Sequence, residues 1–182
     1  MPWIHRINQM PPGEKEGLYR LLIPPSLFSR FQINPLTFTD YAGNRLVRFY
    51  CPEREETVMV EMKRKTDDPD PIYSIQVSDA VDFSQINWDF LVVNDPDSER
   101  FGIDTDAQGR DTLWGRASRN LTAEEQALSA GLAPGQMYIG LGVTREVIAG
   151  LETFAKFLNI KTISLEALFY HNAIFYERCG FS

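Results

Sequence analysis

The chain has 182 residues, a length near that of one domain or one domain with an elaboration. Apolar residues make up 43% and aromatics 12%, enough for a sizeable core and too much for a disordered chain. With 25 acidic against 18 basic side chains the net charge is −7, which argues against a protein whose main work is wrapping nucleic acid. No apolar run exceeds four residues, so no membrane-spanning helix is expected. The start, Met1-Pro2-Trp3-Ile4-His5-Arg6, lacks the apolar stretch of a secretory signal. Cys51 and Cys179 are too few for a disulfide scaffold, and reduced, buried thiols fit a cytoplasmic protein. Two histidines, His5 and His171, make a multi-histidine metal centre an unattractive reading, and no metal is expected.

Trp3 to Ile7 has the composition of a strand, ending before Pro11-Pro12-Gly13. Glu14 to Ile23 follows a helical pattern with Leu18, Leu21 and Leu22 on one face, stopped by Pro24-Pro25. Ser26 to Phe31 reads as a second short helix. From Leu36 to Cys51 the signal turns to β, with Leu36 and Phe38 facing Val47 and Phe49 across a Tyr41-Ala42-Gly43-Asn44 turn. Thr57 to Lys63 is a strand by strict alternation of Val58, Val60 and Met62. Ile72 to Val77 and Phe90 to Val93 supply two more, and Phe101 to Asp104 with Thr112 to Ala117 predict a hairpin.

Helices dominate after that. Thr122-Ala123-Glu124-Glu125 fits a capping box, and the helix it starts should end at Gly131 or Pro134-Gly135. Val143, Val147, Leu151, Phe154, Ala155 and Leu158 form one apolar stripe, with Asn159 as terminator. Lys161 to Phe169 has β character. Asn172 can cap a last helix reaching Cys179 and closed by Gly180.

That closing segment holds the functional signal. Asn172, then Tyr176-Glu177, then Gly180-Phe181, after a glycine-bearing turn, a helix and a strand, resembles the GNAT superfamily of acyl-CoA-dependent N-acyltransferases. The likeness covers Gln136 to Phe181, about a quarter of the chain. It implies a single α+β domain over 1–182 with a GNAT-like mixed central sheet flanked by helices, and extra strands inserted within 66–117. It implies acetyl-CoA or another acyl-CoA as co-substrate, and a small-molecule amine or a protein amine as acceptor. Tyr176 would be the acid that protonates the departing thiolate. Asn172 would contact the cofactor's amide-rich arm, and Gln136, Met137, Gly140 and Gly142 would form the turn whose amides hold the pyrophosphate.

Bland readings stand beside these. Tyr176 fits equally an aromatic packed under a sheet, and Gly140 and Gly142 fit a helix beginning near Gln136. In the family motif Gln or Arg is followed by two residues, Gly, one residue, then Gly or Ala; here Gln136 falls one position early and Met137 takes its place. A strand normally runs directly into that loop, whereas Thr112 to Ala117 is separated from it by the Thr122 helix. The family also continues with two strands after Gly-Phe, where this sequence stops at Ser182. An amine-activating base is needed as well; Glu61, Glu166 and His171 are candidates, none favoured. A catalytically inactive GNAT-like domain that binds a ligand or protein is the alternative, and a homodimer is compatible with either.

Other motifs carry less. Asp104-Thr105-Asp106-Ala107-Gln108-Gly109 mimics the start of a calcium loop, but the twelfth position would be Gly115, so a turn is the better reading. The Lys63-Arg64-Lys65 cluster, countered by Asp67, Asp68 and Asp70, reads as a solvated strand end.

Overall fold

The computed structural model describes residues 3–80, 84–106, 108–112, 118–167 and 170–181, with the side chains of Tyr170 and His171 left aside. The protein is α+β, with a five-stranded mixed sheet and several helices. Two compact units are distinguished, 1–93 with 142–166, and 94–141 with 167–182.

The first unit is built on the sheet. Strands β1 (Val47–Tyr50), β2 (Thr57–Met62), β3 (Tyr73–Asp79), β4 (Ile86–Val93) and β5 (Ile163–Leu165) lie side by side in chain order. The first four pair antiparallel, and β5 pairs parallel with β4. The alternation expected in β2 is present: Val58, Val60 and Met62 are buried while Thr57, Met59 and Glu61 are half-exposed on the other face. β4 begins earlier than its apolar run suggests and carries a bulge, since Gln76 pairs with Phe90 and Val77 with Trp88, leaving Asp89 as the extra residue.

Trp3–Asn8 forms a helix, α1, rather than the strand its composition suggests. Ile4, Ile7 and Asn8, at spacings of three and four, are all buried, and the Asp79 carboxylate accepts from the Ile4 amide at 3.0 Å. Weak β preference, worth tenths of a kcal/mol per residue, yields to those tertiary contacts. Helix α2 (Pro12–Tyr19) passes into a 3₁₀ turn, Arg20–Leu22, and α3 (Pro25–Arg30) follows with Pro25 as its first residue. Pro24-Pro25 therefore ends one helix and opens the next. Beside the Thr39–Arg45 bridge, Phe38 packs edge-on against Phe49 at 4.9 Å, whereas Leu36 is exposed.

Helix α5 (Thr144–Phe157) connects back to β5 and buries the predicted stripe of Val147, Leu151, Phe154 and Ala155. It ends as expected, with Asn159 at φ +57 and the Ile160 amide donating to Ala155 O at 2.9 Å. Tyr19 and Phe154 meet with ring centroids 6.0 Å apart.

Two buried phenols complete this core. The Tyr19 hydroxyl donates to Asn8 Oδ1, and the Tyr73 hydroxyl donates to the Leu22 carbonyl. Burial pushes both phenols above the ordinary value of ~10. Below that value folded and unfolded chains both keep the proton, so the contribution to stability is complete. Above it the unfolded chain loses the proton first, and stability falls. Each tyrosine should contribute a loss of about 1.4 kcal/mol per pH unit above pH ~10. Urea midpoints measured between neutral and strongly alkaline pH should drop steeply, and less steeply in Tyr73→Phe.

The second unit contains α4 (Leu121–Ser129) and α6 (Tyr170–Arg178). Phe101, Ile103, Ala123, Ala127 and Leu132 form its buried cluster, with Met137 packed against it. The cap of α4 is Asn120, whose side chain accepts from the Ala123 amide at 3.2 Å, not the predicted Thr122 box. Asn120 wins because its Nδ2 also donates to Gly102 O at 3.1 Å and Thr105 O at 2.9 Å, tying the helix start to the preceding turn. Gly131, at φ +86, ends the helix as read from sequence. Of the predicted hairpin, the described residues show a single Thr105–Asp111 bridge; Leu113 to Ala117 lie outside them. Within 66–117, β3 and β4 are members of the main sheet rather than an addition to it.

Candidate functional site

The parallel end of the first unit's sheet has the more distinctive geometry. β4 pairs with β5 only at Ile86–Ile163, Asn87–Ser164 and Trp88–Leu165, yet continues to Val93. Among the described residues no strand pairs with that side of β4 beyond Trp88. The Trp88 indole instead donates to the Phe90 carbonyl at 3.2 Å. A strand that outruns its parallel neighbour carries backbone groups that the neighbour does not pair.

Helix α5, which leads into β5, starts without a side-chain cap at Val143. Its first amides therefore keep their capacity to bind an acceptor. Gly142 precedes it at φ +74, exposed, with no atom within 4 Å of where a Cβ would sit. Backbone conformation, not crowding, makes this position suit glycine. Gly140 and Gly142 are thus in the loop before a helix, and the reading that placed them inside one is corrected: Gly142's left-handed backbone stops helical geometry from extending back to Gln136. Glu146, in the first turn, is engaged by Ser26, whose hydroxyl donates to Oε1 at 2.9 Å.

Gly142 belongs to the first unit, whereas Gln136, Met137, Gly140, Asn172 and Tyr176 belong to the second. The Gln136 side chain closes its own turn, accepting from the Ala133 amide at 2.9 Å around Pro134-Gly135. Met137 is half-buried on the apolar cluster, and its carbonyl accepts from the Phe101 amide at 2.8 Å. Ile139 likewise accepts from Asp95 N at 2.7 Å. Gln136 and Met137 are held by internal structure, so only the Gly140–Gly142 portion of the motif is left open.

Asn172 lies inside the first turn of α6, which already begins at Tyr170, so it is not the cap. A cap needs non-helical backbone, which a residue within the helix lacks. Gly180 closes the helix at φ +99 as expected. Tyr176 is half-buried between Phe175 and Phe181, with ring centroids at 5.8 and 6.0 Å. Burial, then the neighbouring Cys179, raises its phenol above the ordinary value. The hydroxyl consequently holds its proton at neutral pH, the state a proton donor needs.

Of the base candidates, Glu61 stands opposite Arg48 in register, Glu166 is exposed just beyond β5, and the side chain of His171 is outside the described residues. The sequence reading passed over Asp89. It is exposed at the β4 bulge and receives the Ser78 hydroxyl at 3.1 Å, while burial raises its carboxyl above the usual range. Its signal was the break that Asn87 and Asp89 make in an otherwise apolar strand.

The calcium-like stretch is a turn. The Asp106 carboxylate accepts from the Gln108 and Arg110 amides, both at 2.9 Å, and those bonds with the Arg110 guanidinium hold it below the usual range. Among the described residues no His, Cys, Asp and Glu group suits a metal ion, and no helix is long and apolar enough to cross a membrane. Both cysteines are free thiols. Comparison of the chain with family models, with curated proteins and with solved structures found no match.

Proposed function

We propose that this chain is an acyl-CoA-dependent N-acyltransferase of the GNAT type, transferring an acetyl or other acyl group to a primary amine. One observation carries the reading. Four antiparallel strands are followed, after residues 94–141 and helix α5, by a fifth strand parallel to the fourth, and among the described residues β4 outruns β5 by five residues, Asp89 to Val93. That stretch suits the amide-bearing arm of an acyl-CoA, whose polar groups match strand backbone that no described strand pairs. The uncapped start of α5 after Gly142 suits its pyrophosphate, through free amides and the helix dipole.

In this reading the amine nitrogen attacks the thioester carbonyl, the C–N bond forms and the C–S bond breaks. Tyr176 supplies the proton that the leaving thiolate takes up, and the proton released by the attacking nitrogen as it becomes an amide passes through water to restore the phenol. Cationic amines are favoured as acceptors by the net charge of −7. The alternative, a GNAT-like domain that binds without catalysis, draws on the internal engagement of Gln136 and Met137, which removes half of the phosphate motif.

A melting scan with and without millimolar acetyl-CoA tests the proposal. At a hundredfold excess over the dissociation constant the folded state gains about 2.7 kcal/mol, a shift of roughly 5–10 °C for a chain of this size. An unchanged midpoint rejects the enzyme reading. Given a shift, Tyr176→Phe should preserve it while lowering turnover of an accepted amine by ten-fold or more. Turnover equal to wild type would remove Tyr176 from the acid role.

A further inference from the structure

The half of the sheet that faces away from the core carries an ordered set of side chains. Cross-strand partners share a face, and the register aligns Tyr50, Met59, Gln76 and Phe90 in one row across β1 to β4. The adjacent row is Thr57, Ser78, Asn87 and Ser164 across β2 to β5. Tyr50 and Phe90 are 42% and 40% exposed, unusual for aromatic side chains on a sheet whose opposite face packs on the core.

The polar row is directional. Gln85 Nε2 donates to Ser164 Oγ at 3.3 Å, and Ser164 donates to Asn87 Oδ1 at 2.6 Å. Asn87 Nδ2 in turn donates to Ser78 Oγ at 3.5 Å, and Ser78 donates to Asp89 Oδ1 at 3.1 Å. Every proton points toward Asp89. The chain thus ends on an anion, and such an arrangement polarises in its favour. Asp89 is the only charged member of either row or of the bulge between them, and it and the adjacent Phe90 are both exposed.

We propose that this sheet face binds a small organic cation, a primary ammonium with an apolar tail. Its head would sit at Asp89 and Phe90 and its tail along Met59 toward Tyr50. The carboxylate supplies the counter-charge, and the exposed aromatic ring attracts the same cation through its face. Two strand spacings, about 10 Å, separate β4 from β2, a distance of the order of an extended alkyl chain. The thioether of Met59 and the ring of Tyr50 offer that tail an apolar bed. This site is argued from binding alone and stands whether or not the chain transfers acyl groups.

An NMR titration of the ¹⁵N-labelled protein with hexylamine at neutral pH tests it, with hexanol as the uncharged counterpart. Saturable shifts are expected at Gln76, Ser78 and Phe90, with millimolar affinity, and at least ten-fold weaker binding of hexanol. Asp89→Asn should weaken hexylamine ten-fold or more at an unchanged melting midpoint, because the exposed side chain keeps its shape. Phe90→Ala should weaken it several-fold. Absence of saturable shifts, shifts centred elsewhere, or equal affinity in Asp89→Asn would overturn the proposal.

Discussion

Replacing Gly150 with alanine is expected to destabilise the protein by about 2–3 kcal/mol, reversing the effect that substitution has in most helices. Gly150 lies mid-way along α5, where alanine ordinarily gains up to ~1 kcal/mol by restricting the unfolded chain. Here an added Cβ would lie 2.5 Å from the Leu21 carbonyl oxygen. That atom belongs to the backbone of the 3₁₀ turn and cannot rotate away. The turn is itself pinned on both sides, since the Leu22 carbonyl receives the Tyr73 hydroxyl and the Ile23 amide donates to Arg20 O at 3.0 Å. Either α5 or the turn must shift, loosening the packing of Tyr19 against Phe154. Thermal midpoints should fall by roughly 5–10 °C. Gly17 in α2 is the matched control: nothing lies within 4 Å of its would-be Cβ, so Gly17→Ala should raise the midpoint slightly. A Gly150→Ala protein as stable as wild type would mean that α5 and the turn approach less closely than described.

The contrast between these two glycines shows where local sequence carries information. β2 was legible because its alternation coincides with burial on one face, and α5 because its stripe coincides with the core. Gly131, Asn159 and Gly180 end helices at the places their chemistry predicts, each with positive φ. α1 was not legible, because what makes Trp3 to Asn8 helical is a carboxylate over seventy residues away. The start of β4 was hidden by Asn87 and Asp89, polar residues that belong to the open face and the bulge. Asn120 and Thr122 are both acceptable caps in isolation, and only the contacts of Asn120 with Gly102 and Thr105 decide between them.

The candidate site follows the same division. Gly142 was readable, since a glycine just before an amphipathic run marks a turn into a helix. The fates of Gln136 and Met137 depend on Ala133, Phe101 and the apolar cluster, which spacing alone does not disclose. That β4 outruns β5 is a property of register and strand length, and Lys161 to Phe169 reads as one β segment of which, among the described residues, only Ile163–Leu165 pairs. Asp89 escaped notice because a carboxylate in a strand is ordinarily solvated, and its neighbours in the row are distant in sequence.

Removing the Asp79 carboxylate should have an effect as large as that at Gly150, and a local one. Asp79 ends β3 and is 6% exposed, and its oxygens accept from Ile4 N at 3.0 and 3.2 Å and from His5 N at 3.3 Å. Hydrogen bonds to a charged group contribute about 1.5–3 kcal/mol each, and less when shared between two donors. Asp79→Ala leaves the Ile4 amide buried without an acceptor, for a loss of about 3 kcal/mol. Asp79→Asn keeps one acceptor oxygen and should lose about half as much. A six-residue helix cannot persist without tertiary support. What remains is the burial of Ile4 and Ile7, the Tyr19 hydroxyl 3.3 Å from Ile4 O, and Asn8, whose Nδ2 donates to Glu55 O at 2.9 Å and Thr57 O at 3.0 Å. The Asn8 bonds hold the far end of α1 more firmly than the near end is held, so the Asp79→Ala protein should fray from Trp3 inward. Hydrogen exchange at Ile4 to Ile7 should accelerate by a hundred-fold or more, while Val58, Val60 and Ile75 slow-exchange amides follow only the smaller fall in global stability. Uniform acceleration across α1 and the sheet would show that the carboxylate holds the whole core together rather than the helix alone. Unchanged exchange at Ile4 would show that α1 needs no cap from β3.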